Sequence, residues 1–109
     1  SEQLLKQGVN LAEITWEGFC NTLHWDKTVP KHFVTHQVGS AHRRLLYDTL
    51  GLPIDKDHST FEHFGNIGSV SLPLTLHEAQ QARNFNKGDH IALLGIGSGI
   101  NCLMMGVEW

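Results

Sequence analysis

The sequence predicts a layered α/β fold with mainly parallel strands, and three observations lead to it. Helical and strand patterns alternate as α-β-α-β-α-β-β along 109 residues, the order that feeds parallel strands through crossover helices. The last two strand runs, His90 to Leu94 and Ile100 to Trp109, are joined by Gly95-Ile96-Gly97-Ser98-Gly99, a tight glycine turn that closes the sheet with one antiparallel pair. Polar groups fit for chemistry also fall where strand runs end, at His36, at Asn66 and at the glycine turn, and α/β folds gather functional groups at the carboxyl ends of their strands.

Each element has its own local warrant. Leu4, Leu5, Val9, Leu11, Ile14, Trp16, Phe19 and Leu23 recur at three- and four-residue spacings, which predicts an amphipathic helix over residues 3 to 23, weakened by Gly8 and Gly18. The polar run His24 to Lys31, with Pro30, ends it. Phe33-Val34-Thr35 is a short β-favouring run that delivers His36. Ser40 is a candidate N-cap for a helix from Ala41 to Leu50, which Gly51 and Pro53 stop. Asp55 to His58 is expected as a loop before a strand at Ser59 to Phe61.

The stretch Phe61 to Leu76 joins architecture to chemistry. Gly65 and Gly68 flank Asn66 after a strand run, so its amide is either a turn former or a group turned toward a ligand. Val70, Leu72, Leu74 and Leu76 alternate like a strand, yet Pro73 argues against one. Thr75 and Glu78 have capping-box spacing, and HEAQQAR is rich in helix formers. A helix from Val70 to Arg83 with Pro73 in its first turn fits best. Its apolar N-terminal half should be buried on more than one side.

Composition bounds the function. Residues 1–109, 40% hydrophobic with net charge −3, make one domain and not two. Eight basic residues against eleven acidic ones exclude a general nucleic-acid binder. No apolar run approaches a membrane span and no signal peptide is visible. Cys20 and Cys102 fall in a helix and an apolar strand, a pattern of reduced, buried thiols that points to the cytoplasm. The chain enters a helical pattern without an initiator methionine and is expected to be a piece of something longer.

Eight histidines raise a metal reading. His32 and His36 are four apart on a strand, and His58, Glu62 and His63 form a local cluster, but no CxxC or HExxH accompanies them, so no metal is expected. The glycine turn lies between two strands and lacks a following Lys-Ser/Thr, so the phosphate-loop reading fails. Gly97-Ser98-Gly99 can instead present bare backbone N–H groups to a substrate, as an oxyanion hole does. His42-Arg43-Arg44 is either a solvated face or a landing site for an acidic partner.

Three segments, THQVGSAHRRLLYDTLGLP, HFGNIGSVSLPLTLHEA and KGDHIALLGIGSGINCLMMGVEW, resemble the successive C-terminal motifs of the 3-oxoacyl-[acyl-carrier-protein] synthase III family, in the thiolase superfamily. The resemblance runs from about Phe33 onward and fits the helix before it. It implies a thiolase-like C-terminal half whose active site uses a cysteine, a histidine and an asparagine. His36 of the His-Gln motif and Asn66 of the Gly-Asn motif match the latter two. The nucleophilic cysteine of the family lies in an N-terminal half, and neither Cys20 nor Cys102 matches its motif.

The implied chemistry is Claisen condensation in fatty acid biosynthesis, with an acyl group on the cysteine and a second thioester as partner. His36 and Asn66 would donate to the thioester oxygen as it becomes an enolate, and the Ser98 backbone N–H, flanked by Gly97 and Gly99, matches the oxyanion hole facing the acyl-cysteine. Coenzyme A or phosphopantetheine thioesters are the implied substrates, with no cofactor. Acyl-CoA or acyl carrier protein, the N-terminal half and a second copy in a homodimer are the implied partners. Gly39 stands where the family has asparagine, and Ala41 where it has an arginine associated with carrier docking; Gln37, Arg43 and Arg44 are the nearby substrate- or carrier-binding candidates. HQVG, GNIGSVSLPLTL and GIGSGINCLMMGVEW are closer to the branch that condenses two acyl-CoA thioesters head to head. A non-catalytic scaffold subunit paired with a catalytic homologue is the remaining alternative. The resemblance also suggests that the first, central strand of the sheet is missing. The four strands present would then surround a gap, and the isolated chain would be inactive and would self-associate.

Overall fold

The structure, a computed structural model, describes residues 2–35, 40–58, 71–97 and 101–109. Three helices, α1 (Glu2–Leu23), α2 (Ser40–Leu50) and α3 (Ser71–Arg83), alternate with strands β1 (His32–Thr35), β2 (Asp57–His58), β3 (His90–Gly97) and β4 (Asn101–Glu108). The alternation expected from the sequence is therefore the one observed. A one-turn 3-10 helix, Ile54–Lys56, precedes β2. Asp55 to His58, expected as a loop, instead holds the end of this turn and the start of a strand at Asp57, and the expected strand at Ser59 to Phe61 lies outside the described residues.

The strands form one mixed sheet in the order β2-β1-β3-β4. β1 is parallel to β2 on one side and to β3 on the other, and β3 runs antiparallel to β4 from His90↔Glu108 to Gly97↔Asn101. The expected central gap is not there. β1 and β3 pair directly through His32↔Ile91, Phe33↔Ala92, Val34↔Leu93 and Thr35↔Leu94. The physical reason is that a gap would leave two rows of unpaired N–H and C=O groups in the middle of the domain, and direct pairing satisfies both. Phe33, Val34, Ile91, Ala92 and Leu94 are all 0% exposed, as befits parallel strands covered on both faces.

Side-chain alternation divides the core in two. Phe33, Ala92 and Leu94 point to the face covered by α1 and α2, where Tyr47 and Leu52 complete a buried cluster with Trp16 and Met104 against it. Val34, Ile91 and Leu93 point the other way, to Ala79 of α3, with Leu72, Leu76 and Phe85 around them. The result is three layers, helix on sheet on helix. Aromatic rings tie the first layer together: Trp16 stacks on Phe19 at 5.3 Å and lies 6.1 Å from Phe33, which meets Tyr47 edge-on at 6.0 Å.

Helix faces depart from the expected sets in two places. The buried stripe of α1 is Val9, Ala12 and Phe19 with half-buried Trp16, while Ile14 is 68% exposed. A Leu-and-Ile count placed Ile14 inward; the 3.6-residue period, anchored on Ala12, turns it out. In α3 Thr75 and Ala79 are wholly buried, whereas Leu72, Leu74 and Leu76 are half-buried and Pro73 is exposed. Two small residues four apart seat α3 on the sheet by one narrow face rather than burying it on several sides.

The three helices among the described residues are each followed by a left-handed residue: His24 (φ 57°), Gly51 (φ 67°) and Asn84 (φ 51°). Trp25 N–H donates to Cys20 O at 3.0 Å and Leu52 N–H to Tyr47 O at 3.0 Å, the six-to-one closure that accompanies such a cap. The glycine run is corrected as well. Gly95 and Gly97 do not turn but continue β3, paired with Leu103 and Asn101. Ladder hydrogen bonds to β4 hold them extended, and the low strand preference of glycine is too small to break that pairing. No helix among the described residues is long and apolar enough to cross a membrane.

Candidate active site

β1, β2 and β3 run parallel, so their carboxyl ends lie at one end of the sheet. β1 ends at Thr35, the residue before His36 in sequence, β2 ends at His58, and β3 ends at Gly97, the residue before Ser98. Thr35 pairs with Leu94, so Gly97 lies three residues, about 10 Å, further along the same direction. His36, Gln37, Asn66, Ser98 and Gly99 themselves lie outside the described residues. Gly97 is the last residue of β3.

Directly beneath this end lies a buried polar cluster that the sequence reading did not single out. Asp57, 2% exposed, accepts from Thr35 Oγ1 at 2.5 Å and from Tyr47 OH at 2.6 Å through Oδ1. The two hydroxyl oxygens are 2.7 Å apart, so one carboxylate oxygen and two hydroxyls form a closed triangle. Arg43 Nε donates to Oδ2 at 2.6 Å, and Arg83 reaches the carbonyls of Asp55 and Asp57 at 3.0 and 2.9 Å. Side chains of α2 and β1 thus converge on the Asp57 carboxylate of β2, while Arg83 of α3 holds its backbone carbonyl.

Burial pushes the Asp57 carboxyl up from its ordinary value, while the hydrogen bonds from Thr35, Tyr47 and Arg43 oppose the rise. Burial, and then the charge of Asp57, hold the Tyr47 phenol well above its usual 10.0. Tyr47 is therefore a neutral donor throughout the physiological range. A signal for the cluster was present in the sequence: Arg43 and Tyr47 are four apart, which puts both polar tips on one face of α2. What the sequence lacked was their target, because Asp57 sits in a polar run that resembles a loop.

The remaining candidates are placed as follows. The guanidinium of Arg43 is committed to Asp57 and to the Ile54 carbonyl, 3.3 Å away. Arg44 is exposed, so it is the better placed of the two to meet an acidic partner. Cys20 and Cys102 are free but half-buried rather than buried. Burial raises both thiols above 9.0, opposite to what a nucleophile needs. Cys102 lines a cavity of about 310 Å³ between α1 and β4 with Thr15, Phe19 and Leu23. Among the described residues no three His, Cys, Asp or Glu side chains gather as metal ligands would.

The three-layer α/β fold, with three parallel strands closed by one antiparallel strand, is that of the thiolase-type condensing enzymes. Residues 20–109 match the family described as 3-oxoacyl-[acyl-carrier-protein (ACP)] synthase III C terminal, and the chain belongs to it. The chain is 41% identical over 106 residues to an acyl-CoA:acyl-CoA alkyltransferase of Shewanella oneidensis, covering 97% of this chain and 30% of that protein. A crystal structure of Xanthomonas campestris OleA superposes with a TM-score of 0.94 at 38% identity, over 99% of this chain and 31% of that one. A structure of 3-oxoacyl-(acyl carrier protein) synthase III, FabH, from Xanthomonas oryzae pv. oryzae gives 0.93, also at 38%, over 99% and 32%. This chain spans about a third of the length of these proteins.

Proposed function

We propose that this chain is the C-terminal part of a condensing enzyme that joins two fatty acyl-CoA thioesters head to head by Claisen chemistry. The observation that carries the reading is the 41% identity across 97% of the chain to an acyl-CoA:acyl-CoA alkyltransferase. An acyl group moves from coenzyme A to a cysteine of the N-terminal half, releasing the CoA thiol. The second acyl-CoA loses the proton on the carbon beside its carbonyl to a base in the part of the enzyme outside this chain, and that proton returns to the cysteine thiolate when the cycle closes. His36 and Asn66 donate to the resulting enolate oxygen, worth about 3–4 kcal/mol per preorganised donor. The enolate carbon attacks the acyl-cysteine carbonyl, whose oxygen takes the Ser98 N–H, and the carbon–sulfur bond breaks to return the thiolate. Action in the cytoplasm, as a homodimer, with thioesters as the only small molecules needed, completes the reading.

A second reading, decarboxylating condensation with a malonyl carrier protein, is favoured by the family match and by the similarity to the Xanthomonas oryzae synthase III. Mass spectrometry of products from the intact enzyme separates the two. A branched β-keto product from two acyl-CoAs, without carbon dioxide, supports the first; product and carbon dioxide only with malonyl carrier protein supports the second. His36→Ala and Asn66→Ala should each cut condensation about 100-fold or more while leaving acylation of the cysteine nearly intact. Equal loss in both steps would contradict the roles assigned. No condensation with either pair would leave the scaffold reading.

A further inference from the structure

We infer that the Thr35–Tyr47–Asp57 triangle is the positioning device for His36, so that Thr35 and Tyr47 govern the condensation step without touching substrate. The inference rests on the proposed role of His36. Thr35 is the residue before His36, and its side chain is held at 2.5 Å by Asp57 and 2.7 Å by Tyr47, while its backbone lies in register with Leu94 of β3. Those restraints come from separate elements, α2, β2 and β3, and together they fix both the rotation and the translation of the end of β1.

The chemistry of the cluster argues for this purpose over simple cohesion. Thr35, Tyr47 and Asp57 are 1%, 1% and 2% exposed, beside a core of Phe33, Leu52, Ala92 and Leu94. Burying a carboxylate and two hydroxyls there is costly, and apolar residues of similar volume would often be neutral or stabilising. Apolar packing, however, tolerates rotation and sliding of a strand end, whereas a hydroxyl donating to a fixed carboxylate oxygen at 2.5 Å is restrained in both direction and distance. A donor aimed at a developing enolate needs such restraint, because a displacement of about 1 Å can cost about 100-fold in rate. The same carboxylate belongs to the first residue of β2, so one group fixes β1 and β2 relative to each other.

The test uses the full-length enzyme containing this chain, as wild type, Thr35→Val, Thr35→Ser and Tyr47→Phe. Thr35→Val keeps the shape and removes the hydroxyl, Thr35→Ser restores it, and Tyr47→Phe keeps the ring should Thr35→Val fail to fold. Single-turnover kinetics with two acyl-CoAs separates acylation from condensation. The expected result is a loss of about 10–100-fold in condensation for Thr35→Val and Tyr47→Phe, with acylation changed by less than about twofold and most of the rate regained in Thr35→Ser. Histidine-selective NMR, with the His36 signal assigned by its loss in His36→Gln, should show that signal displaced in Thr35→Val and restored in Thr35→Ser. Unchanged condensation in both hydroxyl-deleted variants, or acylation and condensation falling together with the melting temperature and no movement of the His36 signal, would overturn the inference. If the wild type condenses nothing, the proposed function falls, and the NMR comparison alone then decides whether the triangle positions His36.

Discussion

Arg43 Nε lies 2.6 Å from Oδ2 of Asp57, whose side chain is 0% exposed while that of Arg43 keeps 27% of its surface in solvent. The pair is a one-sided burial: the anion is committed to the interior and its cation closes the cluster from the rim. Removing the cation should therefore cost much more than an ordinary surface substitution. Arg43→Ala is expected to lower the stability of the intact protein by about 3 kcal/mol, because it strands a buried charge. Arg44→Ala, on the exposed side of the same helix, should stay within about 0.5 kcal/mol of wild type. Urea unfolding of the two variants checks this, and equal midpoints would show that Asp57 does not depend on Arg43.

The position of Tyr47 gives the protein an alkaline limit. Its phenol is held well above 10.0 in the folded chain, by burial first and the charge of Asp57 second. The unfolded chain ionises near that ordinary value while the folded chain does not, so this contribution is complete below pH 10 and is lost as pH rises beyond it. The slope can reach about 1.4 kcal/mol per pH unit. Thermal melts from pH 9 upward should fall more steeply for wild type than for Tyr47→Phe, and parallel curves would contradict the shift.

Gly106 faces the end of α1. A Cβ there would stand 2.6 Å from Leu23 Cδ1 and 2.8 Å from Trp25 Cη2. Leu23 can rotate, but the Trp25 ring is held edge-on to Phe19 at 5.6 Å and to His90 at 5.1 Å. Gly106→Ala is therefore expected to cost about 1–3 kcal/mol through overpacking and to shift Trp25 fluorescence. An unchanged melting temperature would mean that the ring has room to withdraw.

Cys20 and Cys102 are free thiols raised above 9.0 by burial. At neutral pH each should react with a disulfide reagent about tenfold or more slowly than an exposed peptide thiol, with both rates rising toward alkaline pH and both thiols becoming fully reactive in denaturant. Prompt native-state modification of either would show that α1 and β4 open readily.

Much of this architecture was legible in the residues themselves. The helix over residues 3 to 23, the strand Phe33-Val34-Thr35, the helix stopped by Gly51 and the helix that opens around Pro73 are all written locally, in apolar period, caps and breakers. His36, Asn66 and Ser98 were singled out by where strand runs end, and by motif resemblance. Tertiary structure alone decided strand partnership. Nothing in FVT or IALL says which edge pairs with which, and the direct β1–β3 ladder in place of a central gap follows from satisfying backbone groups across the whole sheet. It also decided that Gly95 and Gly97 extend a strand, since the partner that holds them is β4, supplied by residues later in the chain. The Asp57 cluster belongs to the same category. Thr35, Arg43, Tyr47 and Asp57 are spread over 23 residues of sequence, and each is unremarkable alone; packing α2 against β1 and β2 is what turns an apparent loop aspartate into the hub beneath the site.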